Sequence, residues 1–180
     1  MHCGWLYAPL SIDYFCRTYR GNTILDSKFS KLSSIWGQVS AIYLDDQLSS
    51  VRIAGNVFDH HQGMILELGG GRHNEFTNNV INGTGVVHFD DRGGHGSGCC
   101  DGSKMPFGFL DRVPYNTSKA WKKYPGLANI LADAPCEPKH NVISDNILCG
   151  GLKTLGLVGA SPLTVARYGS VMANNTEGHC

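Results

Sequence analysis

Asn74-Glu75-Phe76-Thr77-Asn78-Asn79-Val80-Ile81 is the stretch that decides the fold, because the chain repeats it. A polar residue stands first, an apolar one two places on, Asn or Ser five places on, and a further residue seven places on. Asn22-x-Ile24-x-x-Ser27-x-Phe29, Asn141-x-Ile143-x-x-Asn146-x-Leu148 and Ser170-x-Met172-x-x-Asn175-x-Glu177 share the pattern. Val51-x-Ile53-x-x-Asn56-x-Phe58 keeps it with Val in first place, and the last copy ends on a charge. Asn56 and Asn79 stand 23 residues apart, and Ser27 to Asn56 and Asn146 to Asn175 are 29 each. Asn79 to Asn146 is 67, which is either about three periods or one period with a large insertion. Such a period with short alternating segments predicts a solenoid, in which each repeat is one unit stacked on the next. Apolar residues at every second place then point inward and their neighbours outward. Asparagine suits the recurrent turn: it tolerates left-handed backbone, and its amide can bond from coil to coil as a ladder.

A second repeated strand precedes each Asn strand: Ile42-Tyr43-Leu44-Asp45, Leu66-Glu67-Leu68-Gly69 and Val87-His88-Phe89-Asp90. In one register Ile42, Leu66 and Val87 stack inside, as do Leu44, Leu68 and Phe89. Tyr43, Glu67 and His88 then stack outside, followed by Asp45, Gly69 and Asp90. A leucine-rich solenoid would need a recurrent LxxLxL, which is absent. The 23 glycines among 180 residues are nearly twice the usual share of about 7% and lack a period of three, so they read as turn residues.

Fifteen basic and 15 acidic side chains cancel to a net charge of zero. That argues against nucleic acid and a membrane surface as partners, both of which call for a basic patch. An apolar content of 42% is too high for a disordered chain, and no run approaches the roughly 18 apolar residues of a membrane helix. The seven cysteines contain no CxxC pair, so zinc is poorly supported. Three disulfides and a free thiol, or small buried thiols, both remain open; the reading favours at least one disulfide, with its pairing undetermined. Sequons at Asn82, Asn116 and Asn174 are compatible with secretion, while MHCGWLYAPL lacks the features of a signal peptide.

AIYLDD (Ala41 to Asp46), GNVF (Gly55 to Phe58), GGGRHNEFTNNVI (Gly69 to Ile81), VVHFDDRG (Val86 to Gly93) and KYPGLANILADAPCEPKHNVI (Lys123 to Ile143) carry a resemblance. From about Tyr19 to Asn175 the chain resembles right-handed parallel β-helix proteins with the pectate-lyase-like fold, in a carbohydrate-active or uncharacterised branch. The resemblance implies an all-β chain: a right-handed parallel β-helix solenoid with a long loop and short-helix insertion. Residues 1–20 form an irregular N-terminal segment, and 21–180 form the coils, with the insertion at about 92–140. Within the insertion, Thr117 or Ser118 caps a short helix, and Pro125 opens a second one through residue 132. Members of the family carry more coils upstream. The expectation is therefore a C-terminal fragment of an extracellular protein that acts on polysaccharide or oligosaccharide.

The outer face of the second strand gathers the candidate chemistry. Coils about 4.8 Å apart place Asp45 and Asp90, two coils from each other, at roughly 9–10 Å. That lies near the inverting range of about 6.5–9.5 Å for glycosidase carboxylates. Asp45, Asp90 and Glu67 are the candidate catalytic residues of a glycoside hydrolase. Tyr43, Asp46, His60, His61, Arg72, His88, Asp91 and Arg92 are the candidate substrate contacts, and Gly69 leaves room for a sugar ring. This reading needs no cofactor and no metal. A calcium-dependent lyase is the first alternative, with Asp45, Asp46, Glu67, Asp90 and Asp91 around Ca²⁺ and Arg72 or Arg92 as base. A non-catalytic carbohydrate-binding or structural fragment is the second. Plainer roles stand beside these: Asp45 as a turn cap, Asp90-Asp91-Arg92 as a local ion pair, His60 and His61 as surface residues, and Arg72 and His73 paired with Asp45 or Asp91.

Overall fold

Each sequence repeat becomes one coil of short strands. The computed structural model describes residues 17–20, 23–25, 40–45, 48–61, 63–90, 132–134 and 137–180. The first coil holds β1 (Arg17–Arg20), β2 (Thr23–Leu25) and β3 (Ser40–Leu44). The second holds β4 (Val51–Ala54), β5 (Val57–His61) and β6 (Met64–Gly69), and the third β7 (Glu75–Thr77), β8 (Val80–Gly83) and β9 (Val86–Asp90). The fourth holds β10 (Val142–Ser144), β11 (Ile147–Cys149) and β12 (Gly156–Val158). A short helix, α1 (Pro162–Arg167), precedes β13 (Val171–Ala173) and β14 (Thr176–Glu177) of the last coil.

Corresponding strands pair in parallel and build three sheets. Sheet A runs β1-β4-β7-β10-β13, sheet B runs β14-β11-β8-β5-β2, and sheet C runs β12-β9-β6-β3. The fold is thus mostly β, a β-helix-like solenoid of stacked parallel strands. The repeated eight-residue stretch spans two strands, with the bend between A and B at its centre. Because β7 pairs directly with β10 and β8 with β11, the 67-residue step is a single coil carrying extra chain.

Alternation fills the interior. Ile53, Phe76 and Ile143 line the inside of sheet A, Phe58, Ile81 and Leu148 that of sheet B, and Leu66, Leu68, Val87 and Phe89 that of sheet C. Identical inward places lie on top of one another, so the core is columnar; Phe58 and Phe76 meet across it with ring centroids 5.4 Å apart. At the last coil Ser161 caps α1 by accepting from the Thr164 N–H, and Pro162 opens the helix. Val165 and the following Tyr168 are buried against the coil end.

Two turns per coil divide the conformational work between neighbouring residues. At the A-to-B bend the left-handed residue is Gly55, Asn78, Asp145 or Asn174, with φ of 66°, 55°, 58° and 54°. The residue after it is always the ladder asparagine, buried at Asn56, Asn79 and Asn146 and half-buried at Asn175. Asn56 Nδ2 donates to Asn79 Oδ1 at 3.1 Å, Asn79 to Asn146 at 3.0 Å, and Asn146 to Asn175 at 2.7 Å. Each of these Oδ1 atoms also accepts the backbone N–H of the asparagine one coil back. The expectation that one asparagine serves both roles is therefore refined: bonding and left-handed backbone sit on adjacent residues. A second ladder runs through Asn74, Asn141 and Ser170 before sheet A. There the left-handed residues are Ser50, His73, His140 and Gly169.

Candidate functional site

The register of sheet C matches the sequence reading. Tyr43 pairs with Glu67 and Glu67 with His88, so the three form one outward column. Gly69 pairs with Asp90, and Asp45 follows Leu44, whose partner is Leu68. Asp45 is exposed, while Glu67, His88 and Asp90 are half-buried. Asp45 and Asp90 therefore lie two coils apart at the same end of the sheet. Gly69 between them serves a close approach of coils: a Cβ there would stand 2.9 Å from the Leu44 carbonyl oxygen and 3.3 Å from the Tyr43 ring. The space expected for a sugar is thus occupied by the neighbouring coil at that level.

Glu67 is bound on both oxygens. Ser40 Oγ donates to Oε2 at 2.6 Å, and His88 Nδ1 lies 3.2 Å from Oε1. Ser40, Glu67 and His88 come from three successive coils, so the line crosses sheet C along its stacking direction.

The remaining candidates separate from this face. His60 sits in a left-handed conformation at the end of sheet B, with Nδ1 2.9 Å from Asp59. His61 turns inward rather than outward: it is 1% exposed and its Nε2 lies 2.7 Å from the Met64 carbonyl oxygen. Its Nδ1 finds no partner among the described residues. An imidazole buried at the end of β5 is a poor sugar contact; the left-handed His60 and the register shift between Asp59 and His61 break the alternation and turn His61 inward. Asp46, Asp91 and Arg92 lie outside the described residues, as do the two helices expected in the insertion up to residue 131.

Arg72 belongs to a cluster on the C-to-A turn built on Asp133 rather than Asp45, while the expected alternative partner Asp91 lies outside the described residues. Its Nη2 donates to the Asp133 carbonyl at 2.8 Å and to Asp133 Oδ2 at 2.7 Å. Lys139 Nζ bonds the other Asp133 oxygen, and His140 Nε2 lies 2.8 Å from Oδ2. Burial would raise the Asp133 pKa; the hydrogen bonds from Lys139 and His140 and the charges of Arg72 and Lys139 outweigh it and lower it from 3.8 to about 2. Burial, opposed by Asp133 and Glu137, lowers the pKa of Arg72, whose Nε and Nη1 find no acceptor among the described residues. His73 and His140 stack at 4.9 Å between ring centroids. Burial lowers the His73 pKa, and His140 and Arg72 add to the effect.

Ser40, Asp133, Lys139 and His140 went unread in the sequence. His140 left a signal, because His73-Asn74 and His140-Asn141 occupy the same place in the repeat. Asp133 left none, since nothing in its surroundings marks a partner 61 residues away. Among the described residues no group of three or more His, Cys, Asp or Glu side chains gathers to hold a metal ion. No described helix is long and apolar enough to cross a membrane. Comparison with protein-family models, with curated proteins and with solved structures finds no match for this chain.

Proposed function

We propose that the chain forms a right-handed parallel β-helix of pectate-lyase-like fold that acts on polysaccharide outside the cell, as a glycoside hydrolase. The observation that supports this reading is the register of sheet C, which lines up Tyr43, Glu67 and His88 beside Asp45 and Asp90 on one outward face. A flat, periodic row of polar groups suits a periodic ligand. Of Asp45 and Asp90, one in its acid form protonates the oxygen of the leaving sugar as the glycosidic C–O bond breaks. The other takes a proton from water, whose oxygen bonds to the anomeric carbon. The two-coil separation of roughly 9–10 Å leaves room for that water. The bridge between Cys149 and Cys180 agrees with an oxidising compartment.

The test is turnover of a panel of neutral and acidic polysaccharides, read as new reducing ends. Asp45→Asn and Asp90→Asn should each cut kcat by about 100-fold or more with circular dichroism unchanged. Full activity in either variant would sink the hydrolase reading. An unsaturated product absorbing in the ultraviolet, formed only with Ca²⁺, would replace it with the lyase. Arg72 makes a poor base for that reaction while it is held by Asp133. Glycan binding without turnover would make the chain a binding module.

A further inference from the structure

Two of the sequons, at Asn82 and Asn174, fall on described residues, and the coils treat them differently. Asn82-Gly83-Thr84 is built into the stack at every position. Asn82 is half-buried, its Nδ2 donates to Asp59 Oδ1 at 2.7 Å, and a Cβ on Gly150 of the next coil would stand 2.6 Å from its Oδ1. A Cβ at Gly83 would fall 2.3 Å from the His61 carbonyl oxygen. The Thr84 hydroxyl meets the carbonyl oxygens of Gly63 at 2.8 Å and His61 at 3.2 Å. Asn174-Asn175-Thr176 lies instead at the A-to-B bend that joins β13 to β14, the strands that end their two sheets. Asn174 and Thr176 are exposed, and Asn174 takes the left-handed backbone that asparagine tolerates, with φ of 54°. The Asn174 Nδ2 donates to Asp145 Oδ1 in an exposed bond of 3.2 Å. Asn175, the middle residue, is the anchored one: its Oδ1 accepts from Asn146 at 2.7 Å and its Nδ2 donates to the Ile143 carbonyl at 3.0 Å. The sequon is thus held by the position whose identity the motif leaves open, while its two required side chains face solvent.

We infer that Asn174 is a site of N-linked glycosylation in the folded, secreted chain, and that Asn82, with the same motif, is not. In the transfer, the Asn174 amide nitrogen bonds to the anomeric carbon of an oligosaccharide carried on a polyprenyl pyrophosphate. The bond from that carbon to the carrier's phosphate oxygen breaks, the pyrophosphate leaves, and the amide gives up one proton. The product amide keeps its second N–H, so Asn174 still donates to Asp145. A glycan is bulky and belongs in solvent. Solvent surrounds Asn174, whereas at Asn82 the sugar would have to displace the Gly150 coil or the Asp59 bond. A chain modified at Asn82 before folding therefore does not close its coils. The bend at Asn174 joins sheets A and B, so the glycan does not issue from the sheet C face proposed to meet substrate. The inference rests on the extracellular part of the proposed function and not on the reaction.

The test sends the full chain through the secretory pathway of a eukaryotic cell behind a cleavable leader and collects the secreted, folded product. Releasing the glycans with an amide-cleaving glycosidase in water enriched in heavy oxygen turns each glycosylated asparagine into a labelled aspartate, which peptide mass spectrometry locates. The label should appear at Asn174 in most molecules and at Asn82 in few or none. Thr176→Ala leaves Asn174 and its bond to Asp145 in place and should abolish the label at Asn174. An unlabelled Asn174 in the wild-type chain overturns the inference. So does secreted, folded protein labelled at Asn82 as fully as at Asn174, and so does a label at Asn174 that survives Thr176→Ala. The leader supplies entry to the pathway, so these outcomes stand whether or not the chain cleaves a polysaccharide; the hydrolase reading fails on its own panel of substrates.

Discussion

Asn79 shows how much one side chain does in a stacked fold. It accepts from the backbone and the side chain of Asn56 at 3.0 and 3.1 Å, and donates to the Ile53 carbonyl at 3.2 Å and to Asn146 at 3.0 Å. Asn79→Ala strands several buried polar groups at once. Each unmet group costs about 1–3 kcal/mol, so the variant should lose at least about 3 kcal/mol in urea denaturation. Asn79→Asp should not rescue it, because the carboxylate cannot donate and brings a buried charge. Asp133 makes a pH-dependent contribution. Its folded pKa of about 2 lies below the ordinary 3.8, so its stabilisation is complete above about pH 4 and drains away as pH falls through 2. Asp133→Asn should flatten the stability profile in that window. His73 acts at milder acidity: its folded pKa is lowered from 6.5, so the unfolded chain binds the proton first and stability falls as pH drops below 6.5. His73→Gln should remove that decline, measured as urea midpoints between about pH 7 and 5. The repeat made Asn79 legible from its spacing alone. Nothing local marked Asp133, because no repeat spacing links it to Lys139 and His140 a few residues on, and its third partner, Arg72, lies 61 residues back.

At the level of elements, the turns rather than the strands set the tolerance to change. The run Gly69-Gly70-Gly71 at the end of β6 reads in the sequence as glycines beside the proposed groove. In the solenoid it is where one coil lies directly on another: a Cβ at Gly71 would fall 1.9 Å from the Leu48 carbonyl oxygen, against 2.9 Å from Leu44 for Gly69. Gly71→Ala should therefore cost more than about 2 kcal/mol, and more than Gly69→Ala, whose backbone overlap is smaller. Comparing the two urea midpoints checks the order. The strands themselves were readable because inward and outward places alternate; Ile42, Leu66 and Val87 align as their pattern requires. Helix α1 was not read, although Ser161-Pro162 is an ordinary start signal. Its six residues are too few for a helical period to rise above the strand pattern around it.

For the whole molecule, the coil of β13 and β14 carries a covalent restraint in addition to stacking. Cys149 and Cys180 are bridged across 31 residues, which enclose α1, β13 and β14. Closing a loop of that size constrains the unfolded chain by about 3 kcal/mol. Cys180→Ser should lower stability by up to that amount and speed amide exchange at Val171–Ala173 more than at Ile53 or Phe76. Uniform exchange across all coils would argue against the staple. The sequence alone determined the solenoid, its inward columns and its asparagine ladder. Each coil repeats the same local chemistry, so a spacing along the chain becomes a stack in space. Only the tertiary structure decided which charges meet. The repeat stacks Glu67 beside His88, but Arg72 and Asp133, and Ser40 and Glu67, are joined by side-chain reach, and no periodicity in the chain encodes that.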